Sequence, residues 1–262
     1  MCFIDKQGLR YFQFSIFDDL PIFHAVLTRR GGFSKKPFQS LNFGGTVGDC
    51  QSDVLKNHQK TFEVLGFNYN SRFDVWQVHG TNIICADGPR DFDSGFQRAD
   101  GILTDKPDVT LFMRFADCVP ILLADPENGV IGIVHAGWQG TSQQISRVAV
   151  EKMTEKYGTN PQDIRAGIGP SICPSCYQVG EEVFEAFLKS FSSRAEKFFN
   201  YEKDHLYLDL WEANRSTLQD SGVNNIETVG LCTAQNLDDW FSHRGEKGQT
   251  GRFGVLMSLV DN

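Results

Sequence analysis

Between Thr110 and His135 the chain alternates strand-length apolar runs with turn residues, and this stretch limits the fold more than any other. Thr110 to Ala116, Val119 to Ala124 and Val130 to His135 each read as strands. Asp125-Pro126-Glu127-Asn128-Gly129 is a strong turn, so the last two strands form a hairpin whose outer ends lie side by side. A helix is expected over 142–157, with Ile145, Val148, Ala149 and Met153 as its apolar stripe. Thr141 and Gln144 have capping-box spacing, and Gly158 is placed to end it. Residues 53–65, closed by Gly66, also read as helix, as do 181–188 and 211–222. Residues 73–78, 164–168 and 253–260 read as strands. Helices and strands mix without strict βαβ alternation, which predicts an α+β fold with a mixed sheet or sheets.

Of the 262 residues, 40% are apolar and 22% charged, an ordinary globular balance. The net charge of −8, and the lack of any Lys/Arg run, argue against nucleic acid as a partner. An anionic small molecule stays compatible, because a few placed arginines can hold a phosphate inside an acidic protein. No apolar stretch approaches the roughly 20 residues of a membrane helix. The first residues carry charges where a signal peptide needs its apolar region, so the expected compartment is the cytoplasm. Seven cysteines at scattered spacings do not form a disulfide framework, leaving thiols free as ligands or nucleophiles.

Three residues stand where strands end and turns begin: His79 before Gly80, Cys118 after Asp117, and His135 before Ala136-Gly137. Rigid strands with open turns are where functional groups converge. Two imidazoles and a thiolate suit a borderline-soft ion such as zinc, and three protein ligands leave a fourth position open, the pattern of a catalytic site. A metal-free alternative uses Cys118 as nucleophile with His135 as its base. Taken singly, a cysteine among apolar strands is ordinarily a small core residue, and a lone histidine is ordinarily structural. Cys173-Pro174-Ser175-Cys176 is one CxxC, which alone does not complete a zinc site and reads as two cysteines in a turn. His58 is expected as an exposed or capping residue of its helix; His24, His205 and His243 show no partner pattern. Arg29, Arg30 and Arg252 sit near glycines, where guanidinium and backbone could approach an anion.

Several strings occur in a fixed order along the chain. Thr28-Arg29-Arg30-Gly31-Gly32 and Ser40-Leu41-Asn42-Phe43-Gly44 come first. Trp76-Gln77-Val78-His79-Gly80, Ala99-Asp100-Gly101, Ala116-Asp117-Cys118-Val119-Pro120 and His135-Ala136-Gly137-Trp138 follow. Gly169-Pro170-Ser171-Ile172, Cys176-Tyr177-Gln178-Val179-Gly180 and Thr250-Gly251-Arg252 complete the set. Together they resemble the bacterial laccase-domain family, first described as multicopper polyphenol oxidases and now also as purine nucleoside phosphorylases with adenosine deaminase activity. The resemblance runs from about Thr28 to Leu259, so residues 1–262 are read as one domain.

That resemblance implies that His79, Cys118 and His135 bind the metal. It also implies a mixed α/β sandwich like that of cytotoxic-necrotizing-factor cysteine hydrolases, and in many members a homodimer. Arg29 and Asn42 match family positions near the site, and Arg252 matches a late arginine. Three positions depart from the family: Gln139 and Gln235 stand where arginine and cysteine are common, and Phe241-Ser242-His243-Arg244 replaces a Phe-Ser-Tyr-Arg-like segment.

The leading expectation is zinc-dependent phosphorolysis of adenosine, inosine or methylthioadenosine to free base and ribose 1-phosphate, with adenosine deamination as a companion activity. In that scheme Arg29 and Arg252 position phosphate, and Asp117 or a water gives the leaving purine its proton. Two alternatives stay open. One is copper-dependent polyphenol oxidation, although the four histidines beyond His79 and His135 are too few to line a trinuclear copper cluster. The other is a Cys118-dependent hydrolase acting on a cell-wall precursor.

Overall fold

The computed structural model describes residues 2–260. Two six-stranded sheets carry the fold. In one, the order is Cys2–Lys6, Leu9–Gln13, Ile22–Leu27, Phe253–Leu259, Thr110–Phe115 and Arg72–Phe73. In the other it is Asn225–Thr228, Arg165–Ile168, Val119–Asp125, Val130–Ala136, Gly101–Thr104 and Ile83–Cys85. Both mix parallel and antiparallel pairs. A separate three-stranded antiparallel sheet of Gln178–Val179, His205–Leu208 and Phe199–Glu202 packs Phe199, Leu206 and Leu208 into the core on the outer face of the second sheet.

Alternation along the strands shows how the layers stack, since successive side chains point to opposite faces. Leu111, Met113, Val255 and Met257 of the first sheet share a core with Leu122, Ala124, Ile131 and Ile133 of the second, so the two sheets pack face to face. Their neighbours Phe112 and Leu256 point the other way, onto Phe62 and Leu65 of the helix Gln51–Leu65. Ile121, Leu123, Val130 and Val134 cover the outer face of the second sheet and meet the helices Ile145–Tyr157, Glu181–Phe191 and Leu210–Asp220. The result is helix, sheet, sheet, helix. Central strands buried on both faces need unbroken apolar runs, which is why Val119–Asp125 and Val130–Ala136 read so clearly as strands.

The expected hairpin is present, with Pro120 opposite His135 and Val119 opposite Ala136. Asp125 Oδ1 accepts from the backbone N–H groups of Glu127 and Asn128 and closes the turn. Gly66 and Gly158 end their helices in the left-handed conformation that glycine adopts without strain.

Four expectations are corrected. The helix expected over 142–157 is two: Trp138–Ser142, then Ile145–Tyr157. Gln144 between them sits at φ 59°, and Thr141 makes no capping box because its hydroxyl accepts instead from Asn214. The strand expected over 73–78 pairs only at Arg72–Phe73, with an isolated bridge from Trp76 to Arg98. Gln77 stands in for the missing ladder, its side chain both donating to and accepting from the Arg114 backbone. His58 is buried against Phe43 and Phe112, and burial holds its pKa well below the ordinary imidazole value. Cys173 and Cys176 do form a turn, but not an isolated pair, because Cys232 joins them.

Candidate metal centre

His79, Cys118 and His135 reach one point from three chain segments, and one ligand atom from each lies within 4.8 Å of the others. His135 comes from the end of Val130–Ala136, Cys118 from the residue before Val119–Asp125, and hairpin register places them on facing strands. His79 ends the irregular segment that Gln77 anchors, and its ring centroid stands 4.9 Å from that of His135. His135 is buried, Cys118 half-buried and His79 exposed, so the cluster opens to solvent on the His79 side.

Asp100 organises the cluster. Its fully buried carboxylate accepts from the backbone N–H groups of Val78, His79 and Gly80, and Oδ1 lies 2.9 Å from His135 Nδ1. One carboxylate therefore orients both imidazole residues. With Nδ1 committed to Asp100, Nε2 is the nitrogen that His135 has left for an ion, the outer arrangement usual behind a metal-bound histidine. His79 at φ 61° and Asp117 at φ 79° both hold left-handed backbone, which non-glycine residues adopt at a cost and which clusters at functional sites. Gly137 completes the cradle. A Cβ there would stand 2.9 Å from Cys118 Sγ and 3.1 Å from His79 Cδ2. The donor set, its closeness and this clearance fit an ion.

Electrostatics agree with a ligand thiolate. Burial alone would push the Cys118 thiol up, but the charge of His135 and hydrogen bonds from His135 and His79 together bring it down to about 6. Burial likewise disfavours charged His135, yet the Cys118 thiolate and Asp100 hold it up at about 9. In chelator-stripped protein, iodoacetamide labelling of Cys118 should thus reach half its maximal rate near pH 6, because the thiolate exists above its pKa. His135→Ala should move that midpoint up by a unit or more. Peptide mass spectrometry reads both, and a native midpoint near 9 would remove the ion pair.

The remaining expected residues are placed as follows. Arg252 shares surroundings with Cys118 and Asp117: burial pushes its pKa down while those two charges oppose the shift. Asn42 is buried, and its Oδ1 accepts from the backbone N–H groups of Gly44 and Arg252, so it shapes the loop that presents Arg252. The Asp117 carboxylate accepts from Thr233 Oγ1, Ser242 Oγ and the Arg244 N–H, and so braces the long connection between Asn225–Thr228 and Phe253–Leu259 beside Cys118. Arg29 is not brought to the triad. Its guanidinium binds Gln39 O, Leu237 O and Glu246 Oε1 and stacks on Phe241, which spends it on loop packing. Asp100 was missed as a functional residue, though Ala99-Asp100-Gly101 is among the ordered strings. Tyr177, half-buried and close enough for the charges of Cys118 and Asp117 to raise its pKa alongside burial, was missed too.

Residues 23–260 match the family described as multi-copper polyphenol oxidoreductase laccase. The chain belongs to that family. Within it, the chain is 39% identical over 242 residues to purine nucleoside phosphorylase YlmD of Bacillus subtilis, covering 89% of this chain and 86% of the relative. It is 36% identical over 241 residues to a purine nucleoside phosphorylase of Deinococcus radiodurans, covering 92% and 90%. The crystal structure of YlmD from Geobacillus stearothermophilus matches with a TM-score of 0.91 at 33% identity, covering 98% of each chain. Membership of this laccase family and the geometry of the triad agree in suggesting a metal. No helix among the described residues is long and apolar enough to cross a membrane.

Proposed function

We propose that this laccase-family chain is a zinc-dependent purine nucleoside phosphorylase acting on adenosine, inosine or methylthioadenosine. The observation that carries this reading is the open two-histidine, one-cysteine cluster at the hairpin mouth, in a chain whose relatives bear that enzyme's name. Phosphorolysis joins a phosphate oxygen to C1′ of the ribose, breaks the bond from C1′ to the purine nitrogen, and delivers a proton to the departing base. His79, Cys118 and His135 would hold the ion, which when bound supplies positive charge against developing negative charge. Arg252, beside Cys118 and Asp117, binds and orients phosphate. The Asp117 carboxylate is occupied by three hydrogen bonds from Thr233, Ser242 and Arg244, so in this scheme water brings the proton for the base. The Tyr177 hydroxyl, its pKa raised by burial, keeps its proton as a hydrogen-bond donor at the site. The histidines outside the triad favour this reading over polyphenol oxidation. His24 and His58 are each packed among phenylalanines, and no cluster of three ligands among the described residues includes them.

Metal analysis paired with phosphate-dependent release of base from adenosine and inosine tests the proposal. Near-stoichiometric zinc with phosphate-dependent turnover is expected. Arg252→Ala should raise the KM for phosphate by about 10- to 100-fold, the scale of a lost charged hydrogen bond, while leaving zinc content unchanged. An unaltered phosphate KM would take Arg252 out of the scheme.

The chain Asp100–His135–Cys118 supports a second reading, a cysteine hydrolase in which Asp100 orients the base and Cys118 attacks. That reading leaves His79 without a role. It expects metal-free turnover and a covalent adduct on Cys118, neither of which the phosphorylase predicts.

A further inference from the structure

Three further thiols gather in a cluster that shares no residue with the triad. Cys173 and Cys176 flank a tight turn in which the Cys173 carbonyl accepts from the Cys176 and Tyr177 N–H groups. Cys232, 59 residues beyond Cys173, comes from the loop after Asn225–Thr228, where Ser171 and Cys232 form an isolated parallel bridge. All three sulfurs lie within 4.8 Å of one another. Cys173 and Cys232 are buried, Cys176 is half-buried, and all three are free thiols.

A tetrahedral ion with bonds of about 2.3 Å to sulfur holds its sulfurs about 3.8 Å apart. These thiols therefore need to close by no more than about an ångström to share one. Without an ion, burial and the neighbouring Cys173 push the Cys176 and Cys232 thiols up, so an ion has to displace their protons, while polar groups already reach the sulfurs. The Cys173 N–H donates to Cys232 Sγ at 3.4 Å, Ser175 Oγ lies 3.2 Å from Cys173 Sγ, and Gln235 Nε2 lies 3.4 Å from Cys176 Sγ. An odd set of three sulfurs cannot be used up by disulfides, whereas one divalent ion offsets two of the three thiolate charges and leaves a single negative charge on the side of half-buried Cys176.

We infer that Cys173, Cys176 and Cys232 form a second metal site, for a thiophilic divalent ion of the zinc class, with the Gln235 carboxamide beside its remaining position. The site shares no ligand with the His79–Cys118–His135 cluster. It clips together the two loops that hold Asp117: Ile172 N–H donates to the Asp117 carbonyl, and Thr233 Oγ1 donates to its carboxylate. The second ion thus acts on the fold around Cys118, not on substrate.

Cobalt chloride and zinc chloride, added separately to the chelator-stripped full chain, test this. The native chain should take up two ions. The His79→Ala/His135→Ala variant should keep one. Its cobalt form should show the near-ultraviolet sulfur-to-cobalt absorption and strong visible bands of tetrahedral thiolate ligation. Cys173→Ser/Cys232→Ser should lose that ion, with near-ultraviolet circular dichroism showing whether the variant folds. The histidine variant keeps the thiols native, so its spectrum decides the matter even if the serine variant fails to fold. No cobalt bound by the histidine variant, or bands without sulfur character, would overturn the inference.

Discussion

Cys118→Ala is expected to cost the protein one bound ion and about a thousandfold in phosphorolytic turnover, the scale of a lost source of transition-state charge. The residue contributes little to the core, being half-buried and small, so the variant should fold, at a stability cost of about 1 kcal/mol. Its sulfur, by contrast, is the only thiolate the cluster offers, and two histidines alone leave an ion weakly held. Elemental analysis counts the ion, base release at saturating phosphate gives turnover, and a thermal melt confirms folding. Because the thiol cluster at Cys173 has separate ligands, metal content should fall by one equivalent and not to zero. Native turnover in a folded Cys118→Ala protein would end the metal-centre reading, and the hydrolase reading with it.

Asp100→Ala should have the largest effect on stability of any single change at the site, about 3–5 kcal/mol. It strips acceptors from the Val78, His79 and Gly80 N–H groups and removes the partner of His135 in one step. Asp100→Asn keeps the shape and one acceptor oxygen but loses the charge that fixes His135, so it should fold better and bind zinc about 10- to 100-fold more weakly. The Asp100 carboxyl also sets a pH limit. Burial pushes its pKa up, but the hydrogen bond and charge of His135, with the backbone donors, outweigh burial and hold it below its ordinary value. A depressed carboxyl stabilises the fold above its unfolded pKa and gives that up as pH falls toward the folded value. Acid unfolding should therefore flatten in Asp100→Asn. Chelator competition and melts across pH read both effects; a variant with native zinc affinity would reduce Asp100 to a loop brace.

Much of the fold and of the site is legible in the amino-acid sequence itself. Continuous apolar runs marked Val119–Asp125 and Val130–Ala136 because strands buried on both faces permit no polar alternation. The Asp125–Gly129 turn then dictated that Cys118 and His135 be neighbours. His79 joins the pair by its own strand-end position before Gly80, and the ordered family strings strengthen that placement, since nothing local ties residue 79 to the hairpin. The helix over 142–157 was misread at its start for a related reason. Thr141 and Gln144 have the spacing of a capping box, but Thr141 faces Asn214 on a distant helix, and that contact wins.

What chain order alone could determine was local: where periodicity of two or 3.6 runs, where glycine must end a helix, and which turn joins two strands. Charge and length added what classes of partner to expect. Only the tertiary structure assigned Asp100 to two histidines, gave Cys173 and Cys176 a third thiol in Cys232, and spent Arg29 and Asn42 on loops. It also buried His58 among aromatic rings. The physical reason is one of distance. Periodicity and turn chemistry act over a few residues, while a carboxylate, a thiol or a guanidinium takes its role from groups the fold brings to it from 20 to 200 positions away.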